Sequence, residues 1–78
     1  MKFLIIGLGS MGKRRIRNLK VLNYELILGF DPRKDRCEEA YEKYGIDVFQ
    51  EINDAIEQKP DVMIISTPPD LHMKYAKI

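Results

Sequence analysis

Four apolar residues, Phe3-Leu4-Ile5-Ile6, run straight into Gly7-Leu8-Gly9-Ser10-Met11-Gly12, and nothing else in the 78-residue chain constrains its fold as strongly. An apolar run with no polar alternation reads as a strand covered on both faces, the habit of a parallel sheet. A helical pattern follows over Ser10 to Leu22, in which Met11, Arg15, Leu19 and Leu22 recur at helical spacing and Ile16 widens the stripe. A second strand, Glu25 to Phe30, ends at Asp31-Pro32, and Asp31 stands nineteen residues beyond Gly12. Strand, glycine turn, helix, strand and acid therefore occur in the order and at the spacing of a dinucleotide-binding unit.

The rest of the chain continues the alternation. Pro32 stops the second strand and opens a helix over Lys34 to Tyr44, with Cys37, Ala40, Tyr41 and Tyr44 expected on its inner face. Gly45 ends that helix. A short strand, Asp47 to Phe49, a helix, Ile52 to Gln58, and a fourth apolar strand, Val62 to Ser66, come next. A fourth helix is expected from about Asp70, with Leu71, Tyr75 and Ile78 on one side. This βαβαβαβα order predicts an α/β fold, a Rossmann-like doubly wound parallel sheet with right-handed crossovers and strand order 3-2-1-4. A complete dinucleotide-binding sheet has six strands, so four make an incomplete one. Residues 1–78 are read as the N-terminal part of such a domain, with any C-terminal substrate domain absent. The switch in strand order falls between strands 1 and 4, which places a ligand over Gly7–Gly12, Asp31 and Ser66–Pro69.

Each residue type at this mouth has a chemical reason. Gly7 allows a sharp turn off strand 1, Gly9 leaves room for a pyrophosphate against bare backbone, and Gly12 allows the helix to pack closely on the sheet. The helix N-terminus then supplies unpaired N–H groups and a positive dipole end, and Ser10 adds a hydroxyl. Two readings of Asp31 stand: acceptor for both ribose hydroxyls of an adenosine, which favours NAD over NADP, or a turn residue before proline. Arg33 and Lys34, just past strand 2, are placed to pair with a 2′-phosphate or, for the arginine, to stack on adenine. Thr67 offers a hydroxyl after strand 4. His72, the single histidine, either reaches the nicotinamide ribose or packs without a chemical role.

Composition excludes more than it assigns. Thirteen Lys and Arg against twelve Asp and Glu give a net charge of +1, too balanced for a dedicated nucleic-acid binder. Lys13, Arg14, Arg15, Arg17 and Lys20 therefore read as a solvated helix face, with Lys13 or Arg14 near enough to the helix start to assist a phosphate. No apolar stretch approaches the roughly 20 residues of a membrane span. A lone cysteine, Cys37, excludes an internal disulfide, fits a cytoplasmic setting and is read as core. No cluster of His and Cys has metal-ligand spacing, so no metal site is expected.

Three segments together resemble the N-terminal domain of the glucose–fructose oxidoreductase / inositol dehydrogenase (Gfo/Idh/MocA) family: Ile5 to Leu19, Phe30-Asp31-Pro32-Arg33, and Ile64-Ile65-Ser66-Thr67-Pro68-Pro69-Asp70-Leu71-His72. The third is the most discriminating, and the resemblance spans Met1 to Ile78. It implies NAD, or alternatively NADP, held by Gly7, Gly9, Ser10, Met11, Gly12, Asp31, Arg33, Thr67, Pro68 and His72. It also implies hydride transfer at C4 of nicotinamide to or from a sugar, cyclitol or related alcohol. Arg15 departs from the family, where similar sequences often carry His. The family's Glu-Lys-Pro motif, whose lysine helps catalysis, falls beyond Ile78. Glu57-Gln58-Lys59-Pro60 precedes strand 4 and does not correspond to it. Cofactor residues therefore carry over and catalytic ones do not, so these 78 residues alone are expected to be inactive. The alternative is a nucleotide-sensing Rossmann module without catalysis. As an apolar edge, strand 4 is also expected to mediate self-association of this chain.

Overall fold

The computed structural model describes residues 1–66. Seven elements follow in order: β1 (Phe3–Ile6), α1 (Ser10–Val21), β2 (Ile27–Phe30), α2 (Lys34–Tyr44), β3 (Asp47–Phe49), α3 (Ile52–Glu57) and β4 (Val62–Ile65). The strands form one parallel sheet in the order β3-β2-β1-β4. β1 is flanked by β2, with Ile6 opposite Phe30, and by β4, with Ile6 opposite Ile65. The expected topology and its switch point between β1 and β4 are therefore present. The anticipated fourth helix lies outside the described residues, as do Thr67, Pro68 and His72.

Alternation along the strands divides the core into two layers. Phe3 and Ile5 point to the face covered by Ile16 and Leu19 of α1 and Cys37 and Ala40 of α2, while Leu4, Ile6, Leu28 and Phe30 pack against Ala55 of α3. Leu4, Ile5, Ile6, Leu8 and Ile16 are the largest side chains withdrawn fully from water. Gly29 interrupts β2 because a Cβ there would lie 2.8 Å from Leu8 Cδ2 and 3.1 Å from Ile46 Cδ1. The missing side chain makes room for Leu8 to fill the layer beneath the glycine loop.

Two faces are rotated from the sequence expectation. On α1 the buried positions are Gly12, Ile16 and Leu19, while Met11 and Leu22 are exposed. The reason is Gly12 itself: its backbone packs so tightly on Gly7 that it must face the sheet, and positions 12, 16 and 19 then form the inner stripe. On α2, Cys37 and Ala40 are buried as expected, but Tyr41 is exposed and Tyr44 only half-buried, its hydroxyl accepting from Arg17 at 3.1 Å. α2 ends at Gly45, which adopts the left-handed conformation (φ 66°). The second strand is shorter than expected, beginning at Ile27, because β1 pairs with it only from Phe3, which stands opposite Ile27.

Candidate functional site

The carboxyl ends of β1 and β2 lie side by side, and the chain leaves each in a different way. After Ile6, Gly7 takes φ 100°, a conformation L-residues rarely adopt, and its N–H still donates to Phe30 O at 2.8 Å. Gly9 is the N-cap of α1 and is extended, with no side-chain cap. The first bond of the helix is Lys13 N–H to Gly9 O at 3.0 Å. Ser10, Met11 and Gly12 therefore present N–H groups without helical acceptors. No acidic side chain occupies the first turn of α1, so the positive end of the dipole is left for an external anion.

The three glycines do different work. A Cβ on Gly12 would lie 1.8 Å from Gly7 O and 2.9 Å from Gly7 C, so Gly12 holds helix against loop. A Cβ on Gly9 would meet nothing nearer than the Arg36 guanidinium at 3.7 Å. Gly9 thus faces no backbone, only the end of one long, partly exposed side chain that a phosphate could move aside. Ser10 and Met11, beside it, are exposed. The fit to a dinucleotide rests on this geometry, a bare backbone surface at a helix N-terminus with a carboxylate on the neighbouring strand.

That carboxylate is Asp31, buried at 2% exposure. Its Oδ2 accepts Leu8 N–H at 2.9 Å and its Oδ1 accepts Arg33 N–H at 2.9 Å. Its backbone N–H donates to Phe49 O at 3.1 Å, and the Cys37 thiol donates to its carbonyl at 3.2 Å. The turn role anticipated for Asp31 is therefore present in the Arg33 contact. The Leu8 contact adds a role that the sequence did not suggest, because it ties the glycine loop to the end of β2. Cys37 is core, as expected, and burial pushes its thiol above the ordinary range.

The arginine that reaches this mouth is one the sequence reading passed over. The Arg33 guanidinium turns outward to Asp35 at 2.8 Å, and that hydrogen bond holds the Asp35 carboxyl below its ordinary value. Lys34 pairs with Glu38 at 3.8 Å on the exposed face of α2. Arg36 instead lies over Gly9, with Nη1 3.5 Å from Asp31 Oδ2. Its signal was available in the first turn of α2, five residues beyond the acid. Lys13, weighed for a phosphate, is paired with Glu39 of α2, whose carboxyl is lowered by that hydrogen bond. Ser66, at the end of β4, is buried, its N–H donates to Ile6 O at 2.7 Å, and its hydroxyl has no partner among the described residues.

Comparison with known proteins gives the family and the fold. Residues 1–78 match the model of an oxidoreductase family with an NAD-binding Rossmann fold, Gfo/Idh/MocA. The chain belongs to this family. The cofactor of the family is NAD. Its fold matches the WlbA dehydrogenase from Bordetella pertussis, solved with NADH and UDP-GlcNAcA, at TM-score 0.87 and 24% identity over 97% of this chain and 24% of that one. The WlbA dehydrogenase from Chromobacterium violaceum, solved with the same two ligands, matches at TM-score 0.83 and 25% identity over 92% of this chain and 22% of that one. A probable dehydrogenase from Thermotoga maritima matches at TM-score 0.80 and 28% identity, over 96% and 23%. The chain thus spans about a quarter of the length of these structures. No curated protein gives a significant match. Among the described residues no helix is long and apolar enough to cross a membrane, and no group of His, Cys, Asp and Glu is arranged to hold a metal.

Proposed function

We propose that residues 1–78 form the N-terminal, cofactor-holding part of an oxidoreductase that moves a hydride between C4 of nicotinamide and a sugar, cyclitol or related alcohol. The observation that carries this reading is the meeting of Gly9, the uncapped start of α1 and the Asp31 carboxylate at adjacent strand ends. Bound there, NAD supplies the hydride chemistry. The chain's own residues bind and orient it. The N–H groups of Ser10, Met11 and Gly12 face the pyrophosphate, and Asp31 accepts from the adenosine ribose. The family resemblance adds Thr67, Pro68 and His72 to the residues that bind the cofactor. A proton donor and a substrate pocket are assigned to chain beyond Ile78. The two WlbA structures hold a nucleotide sugar beside NADH, which supports a polyhydroxy substrate.

Reading the coding sequence past Ile78 tests the catalytic half of the proposal. It should run into a further apolar strand followed by Glu-Lys-Pro. A stop codon or an unrelated domain at that point would contradict hydride transfer and leave a nucleotide-binding module.

The same reading covers the behaviour of this chain by itself. β4 is the outer strand among the described residues, and Met63 on it is 44% exposed. An apolar edge with unpaired backbone groups pairs with other chains, and a second copy of this chain is the partner we assign to it. Light scattering at high concentration should give a dimer or larger species, and a monomer would refute the pairing.

A further inference from the structure

The Arg36 guanidinium sits between the two groups that define the adenosine side of the mouth. Its central carbon and both terminal nitrogens lie 3.7–3.9 Å from the position of a Cβ on Gly9, so it lies across the loop. On its other side Nη1 is 3.5 Å from Asp31 Oδ2. The Asp31 side chain is 3% exposed beneath it, whereas that of Arg36 is 40% exposed. The arginine is therefore the part of this pair that faces solvent.

Counting acceptor sites shows what a ligand must displace. A carboxylate offers about four lone-pair positions. Leu8 N–H and Arg33 N–H each hold one at 2.9 Å, and Arg36 leans on a third at a distance near the outer limit for a hydrogen bond. Two ribose hydroxyls need two positions, so a ribose bound by both hydroxyls takes the one Arg36 now occupies. The strong backbone contacts stay and the weak one yields. The freed guanidinium remains on the first turn of α2, beside the ribose edge. Arg33 does not compete for this role, being paired with Asp35, and neither does Lys34, paired with Glu38.

We infer that Arg36 sets the nucleotide preference of this site: it covers the ribose-reading carboxylate and, once displaced, pairs with a 2′-phosphate, so that NADP is accepted alongside NAD. This rests on the dinucleotide reading above and deepens it. Without such a cation the Asp31 carboxylate repels a 2′-phosphate. With it, the phosphate meets a planar, permanently charged donor suited to two-point contact.

Calorimetric titration of the 78-residue chain with NADH and with NADPH, for wild type, Arg36→Ala and Arg36→Lys, tests the inference. Wild type should bind both. Arg36→Ala should weaken NADPH by about tenfold or more, the loss of one charge-assisted hydrogen bond, while NADH binds as tightly as before or tighter. Arg36→Lys should fall between them for NADPH. Because the side chain is half in solvent, both variants should keep the wild-type circular dichroism, and Arg36→Gln is the substitute if alanine does not fold. Equal weakening of both nucleotides would show a general phosphate or adenine contact and overturn the inference. Unchanged NADPH binding would overturn it as well. A folded wild-type chain that binds neither nucleotide would instead overturn the dinucleotide reading on which it rests.

Discussion

Replacing Gly12 by alanine is expected to destabilise this domain severely. The added methyl would sit 1.8 Å from the Gly7 carbonyl oxygen, a contact with backbone that no rotamer change relieves. Gly7 has little freedom to retreat, because it is held at φ 100° and its N–H is bonded to Phe30 O. Relief then requires α1 to move off the sheet, which opens the layer containing Ile5, Leu8, Ile16 and Leu19. Overpacking of a well-filled core costs about 1–3 kcal/mol, and a backbone clash lies at or beyond the top of that range. A domain of this size has about 4–12 kcal/mol in all. With a melting-temperature change of about 4–8 °C per kcal/mol for a small domain, a fall of roughly 15 °C or more is expected by thermal circular dichroism. A wild-type melting curve for Gly12→Ala would mean that helix and loop do not touch as described.

Asp31→Asn is expected to be nearly as damaging, although it changes one atom. Both carboxylate oxygens accept backbone N–H groups, Leu8 on one and Arg33 on the other. An amide has one acceptor oxygen, so its NH2 must face one of these donors. The site is buried, and a buried donor left unsatisfied costs about 1–3 kcal/mol. Urea denaturation should show that loss as a lower midpoint with an unchanged slope. Binding should suffer in addition, since the carboxylate no longer offers acceptors to a ribose. Asp31→Asn with wild-type stability would mean that the Leu8 and Arg33 bonds contribute nothing net. Undiminished NADH binding in the same variant would remove Asp31 from the ribose.

The sequence made the architecture legible because local and global signals agree at the decisive places. The uninterrupted apolar strands gave away a parallel sheet, and the glycine hexapeptide gave the switch at the end of β1. Strand order then followed from crossover handedness. α2 and β3 have the expected bounds, since Pro32 and Gly45 punctuate them chemically. What stayed hidden depends on contacts distant in the chain. The inner face of α1 was misread because periodicity credits Met11 and Leu22 for being apolar and gives Gly12 no weight, yet close packing on Gly7 turns the helix toward positions 12, 16 and 19. Tyr41 was misplaced for a similar reason, its ring lying outside the α2 stripe that Cys37 and Ala40 occupy. The Leu8-to-Asp31 bond joins residues 23 apart and has no local signature. Arg36 went unread because one arginine among Arg33, Lys34 and Arg36 is distinguished only by which carboxylate each meets in space.

The backbone at Gly9, the uncapped start of α1 and Asp31 are proposed to form a dinucleotide site. Calorimetric titration of the wild-type chain and of Gly9→Val with NADH tests this most directly. A Cβ at this position meets nothing nearer than the Arg36 guanidinium at 3.7 Å, and the φ of Gly9, −76°, is one that L-residues adopt. The variant should therefore fold as wild type does. The expected result is one NADH per wild-type chain and no measurable binding to Gly9→Val at unchanged circular dichroism. A folded wild-type chain that fails to bind, or a valine variant that binds as well as wild type, would contradict it.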